Sequence, residues 1–375
     1  MSGEPTAYAV LDIDLDALVG NWRSLRDRLP QGAICAGVVK ADAYGLGMAK
    51  VAAALAAAGC RLFFVAQLGE AVALRHLLPD AEIAVLNGLL PGEAAAFAAH
   101  RLIPVLNDLG QIAAWRGTGG GLPAIIHVDT GMARLGLPPG ELARLAADPS
   151  LLAGLSLRAV MSHLACADEP SHPHNARQLA AFGAARAELP AAPASLANSS
   201  GIFLGPAYHF DIARPGAAVY GVNPLPGRPN PMAQVVRLKG KILQTRDIDR
   251  GEFVGYGSTH RREGPGRIAT VAVGYADGWL RSLSNRGSVA IAGQRVPLAG
   301  RISMDLMTID VTALDPQAAS PGNFAELIGP GHDIDAVAAE AGTIGYEILT
   351  ALGSRYRRVY RGGAAPYLPS EKTES

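Results

Sequence analysis

Short apolar runs alternate with alanine-rich amphipathic stretches between about residue 30 and residue 220, and this alternation constrains the fold more than any other feature. Short apolar runs bounded by turn residues predict strands, and helical spacing between them predicts helices. The candidate strands are 34–40, 61–66, 82–88, 101–106, 123–129, 155–163, 194–199 and 208–215. Eight strands with helices between them predict an α/β chain that begins with a (β/α)8 barrel of the TIM type.

The pattern changes after about residue 230. The Pro/Gly-rich connector PLPGRPNPM is followed by segments with period-two alternation, which predict a mostly antiparallel β domain interrupted by a single late helix. We therefore expect a barrel over residues 10–230 and a C-terminal β domain over residues 231–375. An N-terminal strand over residues 1–9 is expected to join the second domain.

Composition narrows the class of protein. The 375 residues carry no formal net charge and no basic cluster, so a nucleic-acid partner is not expected. No apolar run approaches the roughly 20 residues that span a bilayer, and the start MSGEPTAYAVLDID does not resemble a signal peptide. Cys35, Cys60 and Cys166 are an odd number of cysteines without a CxxC pair, which indicates reduced thiols. We expect a cytoplasmic protein with no membrane contact.

The stretch VVKADAYGLG (38–47) places Lys40 at the end of the first predicted strand, before a small, glycine-rich segment that we expect to open a helix. In such a barrel the chemistry lies at the C-terminal ends of the strands, so the Lys40 amine is expected at the mouth. Burial beside other cations lowers the pKa of a lysine and frees its amine to form a Schiff base with a carbonyl. A lysine that only covers apolar surface at the rim is the alternative.

The loops after the last two predicted strands suggest a phosphate cradle. They read NSSG (198–201) and RPGAAVYG (214–221), at positions where barrel enzymes often hold a phosphate. Ser199 offers a hydroxyl, and Gly216 and Ala217 offer backbone amides. A lysine facing this cradle fits a cofactor with an aldehyde at one end and a phosphate at the other, which describes pyridoxal 5′-phosphate.

Seven motifs in order resemble one known family. They are VVKADAYGLG, DTGMARLG (129–136), SHLACAD (162–168), RPGAAVYG, GYGSTH (255–260), VGYADG (273–278) and GRISMD (300–305). Together they resemble alanine racemase, from Lys40 to about Tyr356, and no single motif is as specific as the set. The resemblance implies an N-terminal barrel, a C-terminal β domain, and a homodimer whose active sites are shared between subunits.

The resemblance also implies roles for individual residues. Lys40 would hold the cofactor and act as the base on one face of the substrate, and Tyr256 of the partner subunit would be the base on the other face. Arg214 would contact the pyridine nitrogen, His163 would lie beside the ring, and Arg134 would orient the phenolic oxygen of the cofactor on the substrate side. The phosphate would be surrounded by Tyr44, Ser199, Gly216, Ala217 and Tyr346. Met304 would offer its backbone to the substrate carboxylate, and Tyr275 would narrow the entrance.

Elementary acid–base chemistry agrees with these roles. Lysine and tyrosine both have ordinary pKa values of about 10, and both must be lowered for work near neutrality. The charges of Arg134 and Arg214 favour a phenolate at Tyr256 and a neutral amine at Lys40. Because arginine gives up no proton, a pyridine nitrogen facing Arg214 stays unprotonated, and the weaker electron sink limits transamination.

One position departs from the family pattern. Many members carry a carbamylated lysine two residues before the DTGMxRLG motif, and this chain has His127 there. Histidine cannot form that carbamate, so Arg134 would need another negative partner, such as a bound chloride. A packing role for His127 is the alternative.

Structural roles remain open for several of these side chains. Tyr256 would also fit the role of an ordinary aromatic residue in a glycine-flanked turn. Tyr346 would also fit a role in packing the late helix. Arg134 and Arg214 would also suit ion pairs with Asp129 and Asp211. The cluster His163, Cys166, Asp168, His172 and His174 has no standard zinc spacing, so no metal is expected.

Other functions also remain open at this point. A racemase of broader range, acting on serine, lysine or arginine, is the nearest alternative. A decarboxylase of ornithine or diaminopimelate shares the architecture but would be expected to carry an acidic residue where Arg214 stands. A regulatory barrel would lack the second domain. The sequence does not decide between supply of D-alanine as a peptidoglycan precursor and alanine catabolism.

Overall fold

A computed structural model describes residues 7–118 and 121–363. The chain divides into two compact units. The barrel unit comprises Leu18–Val219 and Asn223–Ala233, and the β unit comprises residues 7–17, Tyr220–Val222 and Gln234–Gly362. In the described ranges no helix is both long enough and apolar enough to cross a membrane.

Parallel strands form the barrel. Seven of them lie in one sheet in the order Gly37–Val38, Leu62–Val65, Glu82–Val85, Ile103–Leu106, Pro123–His127, Ser156–Met161 and Ala194–Ser195. The strand Ile212–Ala213 pairs with Ile34–Cys35, the first half of the first predicted strand. Backbone bonds from the Asp211 amide to the Ala194 carbonyl (3.1 Å) and from the Arg214 amide to the Ala197 carbonyl (2.9 Å) close the circle. All eight predicted strands are present, and the predicted fold class is confirmed.

Helices follow the strands and cover the outside of the sheet. They are Leu15–Arg26, Met48–Ala57, Leu68–Leu77, Ala94–Ala99, Leu109–Thr118, Pro139–Ala147 and Pro173–Ala187. Gly110 and Gly117 weaken the helical pattern of Leu109–Thr118. Ile112 and Trp115, one turn apart and buried, nevertheless hold it in place.

The β unit is a mostly antiparallel eight-stranded sheet, as predicted. Its strands are Ala9–Asp14, Val236–Ile248, Gly266–Val271, Ser288–Ile291, Gln294–Pro297, Met307–Asp310, Phe324–Ile328 and Arg357–Arg361. A separate two-stranded ribbon, Phe253–Val254 with His260–Arg261, carries the loop around Tyr256. The predicted single late helix is two helices, Ile334–Ala341 and Gly345–Ala351, because Gly342 ends the first at φ 75°.

The N-terminal strand Ala9–Asp14 occupies the interior of this sheet. It pairs antiparallel with Val236–Ile248 and parallel with Arg357–Arg361. Leu11 and Ile13 are fully buried, and these two side chains explain why the strand continues past the expected boundary at residue 9. The first six residues of the predicted strand lie outside the described residues.

Candidate functional site

Lys40 lies directly after the barrel strand Gly37–Val38, at its C-terminal end, and is half-buried. Burial, and next the charge of Arg134, lowers the pKa of the Lys40 amine from its ordinary value of 10.5, while Glu70 opposes this shift. The amine therefore loses its proton more readily than a surface lysine. The position and the electrostatics both suit a nucleophile or a base.

The segment after Lys40 is a left-handed turn, which the sequence did not predict. Residues 41–44 all have φ between 52° and 56°, a conformation that costs non-glycine residues about 1–2 kcal/mol each. Gly45 ends the turn at φ 80°, and the expected right-handed helix begins only at Met48. The Asp42 carboxylate accepts a bond from the Met48 amide (2.7 Å) and so connects the turn to that helix.

The predicted phosphate cradle is a compact group at the ends of the last two barrel strands. The Ser199 hydroxyl accepts bonds from the amides of Gly216 (3.0 Å) and Ala218 (3.2 Å), so its own proton is directed elsewhere. A Cβ on Gly216 would lie only 2.2 Å from the Tyr44 hydroxyl oxygen, which shows how closely these two residues approach. Hydroxyl and amide donors grouped in this way suit a phosphate.

Arg214 is almost completely buried, with 4% of its surface exposed. Its guanidinium donates to the Ser195 hydroxyl and to the Ser162 carbonyl (2.6 Å), and burial lowers its pKa to about 10. Asp211 accepts a bond from the Ala194 amide instead (2.7 Å), which argues against the ion pair considered from the sequence. The buried charge is thus held by neutral oxygens.

His163 lies against Arg214. An Arg214 nitrogen is 3.3 Å from His163 Nδ1, and since guanidinium can only donate, Nδ1 accepts and Nε2 carries the proton. Burial, followed by the charge of Arg214, holds the pKa of His163 well below its ordinary value. His163 is therefore neutral at physiological pH.

Arg134 lies on a loop that Asp129 organises. The Asp129 carboxylate accepts bonds from the amides of Gly131 (2.9 Å), Met132 (2.8 Å) and Ala133 (3.0 Å). These bonds hold the pKa of Asp129 below its ordinary value even though burial works in the other direction. Asp129 shapes the loop through its backbone, and Arg134 at the end of the loop is exposed.

His127, at the position where the family pattern has a lysine, is buried with 7% of its surface exposed. Its Nδ1 is 2.7 Å from the Asn107 side-chain oxygen. Burial, and next the charge of Arg214, lowers its pKa to about 4, so the ring is neutral at physiological pH. A neutral, hydrogen-bonded ring in the core supports the packing role.

In the β unit, Tyr256 stands between Gly255 and Gly257, both at φ 72°, and 72% of its surface is exposed. It opens onto a cavity of about 540 Å³. The cavity is lined by Gly255, Tyr256, Gly257, Thr270, Arg301, Ser303, Leu306, Met307 and Thr308. A phenol this exposed is available to a ligand or to a second chain.

Met304 and Tyr275 lie close together in the β unit. The Tyr275 amide donates to the Ser303 carbonyl (3.1 Å), and the Ala276 amide donates to the Met304 carbonyl (2.9 Å). Both side chains are exposed, as is Tyr346 in the helix Gly345–Ala351. The roles expected for these three residues stay predictions.

The histidines of the segment around His172 and His174 make hydrogen bonds within the barrel unit. His172 Nδ1 accepts a bond from the His174 amide (3.1 Å), and His174 Nε2 is 3.0 Å from the Gly131 carbonyl on the Arg134 loop. Over residues 7–118 and 121–363 there is no group of three or more His, Cys, Asp or Glu that could hold a metal ion.

Three kinds of residue at this site were not foreseen from the sequence. Ser162 and Ser195, the acceptors of Arg214, lie just after and at the end of barrel strands, and nothing in the sequence marks them as its partners. Asn107, the partner of His127, also follows a strand. Glu70 contacts the turn after Lys40. The one sequence feature that could have pointed to it is its acidic side chain in the first turn of a helix.

Both parts of the chain match models of one family. Residues 13–224 match the alanine racemase N-terminal domain, and residues 235–360 match the alanine racemase C-terminal domain.

Individual proteins match over nearly the full length. An alanine racemase from Rhodospirillum rubrum is 54% identical over 367 residues, covering 96% of this chain and 98% of that protein. A protein named as a catabolic alanine racemase, from Mesorhizobium japonicum, is 53% identical over 367 residues, covering 96% and 95%. The crystal structure of alanine racemase from Bartonella henselae with covalently bound pyridoxal phosphate is 43% identical, covers 95% of this chain and 100% of that chain, and has a TM-score of 0.92. The resemblance inferred from seven motifs is confirmed, and the chain belongs to the alanine racemase family.

Proposed function

We propose that this protein interconverts L-alanine and D-alanine with pyridoxal 5′-phosphate as its cofactor. The observation that carries the proposal is the half-buried Lys40, whose amine has a lowered pKa, at the mouth of a barrel that also holds the Ser199–Gly216–Tyr44 cradle. The name of the Bartonella henselae structure supports the choice of cofactor.

The residues present fit this cofactor. Tyr44, Ser199 and the backbone of residues 216–218 would hold its phosphate, with Tyr346 also proposed there, and Lys40 would bind its aldehyde carbon. When bound, pyridoxal 5′-phosphate withdraws electrons from an attached amino acid and so acidifies the Cα–H bond. Arg214 offers only N–H donors, so a ring nitrogen placed against it receives no proton from the protein.

Two bases on opposite faces would exchange the proton. Lys40 in its neutral form removes a Cα proton from one face, and the Tyr256 hydroxyl of the partner subunit returns a proton to the other face. The reverse reaction begins with a Tyr256 phenolate and a protonated Lys40. His163, which Arg214 orients, is neutral and therefore adds no further positive charge near Lys40.

The proposal includes a homodimer with shared sites. Tyr256, Tyr275, Met304 and Tyr346 are all exposed in the β unit, and exposed aromatic and apolar side chains of this size often mark an interface. Tyr256 would then act in the barrel of the partner subunit, with Met304 and Tyr275 contributing to substrate binding and to the entrance. A cytoplasmic location is also proposed, in keeping with the free cysteines Cys35, Cys60 and Cys166.

An assay of D-alanine formation tests the catalytic roles. Lys40→Ala should lose both the covalently attached cofactor and racemisation. Tyr256→Phe should keep the cofactor absorbance and lose at least about 100-fold in kcat, because the second proton donor is missing. Lys50→Ala and Tyr8→Phe, the same changes at exposed positions, are the controls. Near-normal racemisation by Tyr256→Phe in both directions would show that the opposite-face assignment is wrong.

Mixing the two inactive variants tests the shared sites. If the sites are shared, a dimer of one Lys40→Ala subunit and one Tyr256→Phe subunit has one intact site, so random reassociation should restore about a quarter of the wild-type activity. If each site uses residues of a single chain, the mixed dimer has none. Absence of recovery after verified subunit exchange would exclude the shared site.

A further inference from the structure

We propose that Glu70 is a positioning residue for Lys40, and that its carboxylate holds the left-handed turn after Lys40 so that the lysine backbone is fixed at the barrel mouth. The inference rests on the proposed function of Lys40. Glu70 stands in the first turn of the helix Leu68–Leu77, after the second barrel strand, and belongs to none of the seven family motifs.

The carboxylate bridges two loops of the barrel mouth. One oxygen accepts a bond from the Ala41 amide (2.6 Å), the first residue of the turn. The other oxygen accepts bonds from the amides of Ala66 (2.8 Å) and Gln67 (3.2 Å), at the end of the second strand. A single half-buried side chain therefore connects the ends of the first two strands, on the side where Lys40 lies.

The turn needs such support. Its four residues all have the left-handed backbone conformation, which side chains other than glycine disfavour. The bonds within the segment, from the Ala43 amide to the Val39 carbonyl (2.9 Å) and from the Gly45 amide to the Ala41 carbonyl (2.8 Å), do not involve the Ala41 amide. Glu70 is the acceptor for that amide, so its removal leaves the residue next to Lys40 without its anchor and favours a less strained backbone.

The pattern of donors requires a carboxylate and not only a polar side chain. Backbone N–H groups point at both Glu70 oxygens, so each oxygen must accept. Glutamine has one oxygen and one NH₂ group, and whichever way it turns, the NH₂ faces a donor. Glu70→Gln therefore breaks one half of the bridge while keeping the size of the side chain.

Glu70 also acts on Lys40 through its charge. Its carboxylate raises the pKa of the Lys40 amine against the stronger effects of burial and Arg134. Loss of that charge should lower the pKa of Lys40 further, so the reaction of free Lys40 with pyridoxal 5′-phosphate should begin at lower pH in Glu70→Gln than in the wild type.

The chain offers a matched control. Glu93 lies directly before the helix Ala94–Ala99, and its carboxylate accepts a bond from the Leu90 amide (2.9 Å). Glu93→Gln removes the same charge from the same unit without touching the Lys40 turn.

Hydrogen–deuterium exchange on the full-length holoenzyme gives a readout besides activity. In Glu70→Gln we expect the amides of residues 41–47 to exchange at least about 10-fold faster, with exchange at 288–297 unchanged. We expect kcat to fall at least about 10-fold with KM changed less than about 3-fold, because misplacing a base affects the chemical step more than binding. Glu93→Gln should match the wild type in both measurements. Glu70→Asp, which keeps two acceptor oxygens but has a shorter reach, should fall between.

The outcomes separate the possibilities. Wild-type exchange over 41–47 and wild-type kcat in Glu70→Gln would overturn the proposal, and so would faster exchange spread evenly over the whole barrel. If Glu70→Gln does not fold, Glu70→Asp decides in the same way: faster exchange confined to 41–47 supports the proposal, and unchanged exchange overturns it. If Lys40→Ala still racemises alanine, the proposed function fails independently of what exchange shows for Glu70.

Discussion

At Gly216 a single methyl group decides whether the cradle keeps its shape. A Cβ there would lie 2.2 Å from the Tyr44 hydroxyl oxygen and 3.0 Å from its ring carbon Cζ. Atoms cannot remain at such distances, so an alanine would push the Tyr44 phenol away from the loop that contains Gly216.

We predict that Gly216→Ala weakens cofactor binding about 10-fold or more, because the displaced phenol no longer faces the phosphate. Titration of cofactor-free protein with pyridoxal 5′-phosphate, followed by absorbance, measures the change. Gly183→Ala, in a helix where a Cβ meets no atom within 4 Å, is the control and should bind normally. Adding Tyr44→Phe to Gly216→Ala should cost less than the two single changes together, and a purely additive loss would contradict the steric explanation.

Prediction at the residue scale succeeded where a side chain belongs to a motif and failed where its role depends on its partners. Ser199 and Gly216 were expected at the cradle from their loops, but the sequence did not show that the Gly216 amide would donate to Ser199. Glu70 was missed for the same reason, since the Ala66 and Gln67 amides are local donors but the Ala41 amide reaches Glu70 only once the first two strands are side by side.

At the scale of elements, one arginine joins two neighbouring helices of the barrel. Arg75, near the end of Leu68–Leu77, donates hydrogen bonds to carbonyl oxygens that follow its own helix and to carbonyl oxygens that follow the helix Ala94–Ala99. Its acceptors are Leu78, Pro79, Ala81, His100 and Arg101. The planar guanidinium, with five N–H donors, suits such a set of acceptors, whereas an ammonium group has three donors at one point.

We predict that Arg75→Lys lowers the free energy of unfolding by about 2 kcal/mol, since several carbonyls lose their donor while the charge is kept. Urea unfolding followed by circular dichroism gives the value. Arg116→Lys, at an arginine whose bond goes to the Ala153 carbonyl (3.1 Å), is the comparison and should change stability by less than about 0.5 kcal/mol. Equal losses in both variants would mean that the multiple acceptors of Arg75 add nothing.

Elements with strong patterns were predictable, and those held by tertiary contacts were not. All eight barrel strands were found from continuous apolar runs, since both faces of such a sheet are covered. The strand Arg357–Arg361 has no such pattern, because RRVYR is mostly charged. Its pairing with Ala9–Asp14 makes it a strand, and no local pattern reveals that partner.

At the scale of the whole molecule, two neutral histidines of the barrel, the buried His127 and the partly buried His163, make stability depend on pH. The folded pKa of His127 is lowered to about 4 from an ordinary 6.5, and that of His163 is lowered in the same direction. Between these values the unfolded chain binds more protons than the folded chain. The free energy of unfolding therefore falls as the pH drops below about 6.5. The part of this loss that is due to His127 ends near pH 4, where the folded chain also binds the proton.

We predict that His127→Gln reduces the loss of stability between pH 7 and pH 4.5 by about 2–3 kcal/mol relative to the wild type, because the variant has no group to protonate at this position. Urea unfolding at the two pH values, followed by tryptophan fluorescence, measures the difference. His76→Gln, a change at an exposed histidine, should leave the wild-type dependence intact. The same pH dependence in His127→Gln as in the wild type would rule out this origin of the acid sensitivity.

The strand Ala9–Asp14 affects the order in which the parts of the protein fold during synthesis. It is translated before the barrel, yet its partners Val236–Ile248 and Arg357–Arg361 are translated only after the barrel. The barrel can close its ring of strands once Ile212–Ala213 has emerged, while Ala9–Asp14 has no partner until Val236–Ile248 follows, and its other edge pairs only when Arg357–Arg361 has been made. Nascent chains that stop before residue 357 therefore carry an incomplete sheet. Chaperones that bind extended apolar segments would have the most time to bind this strand.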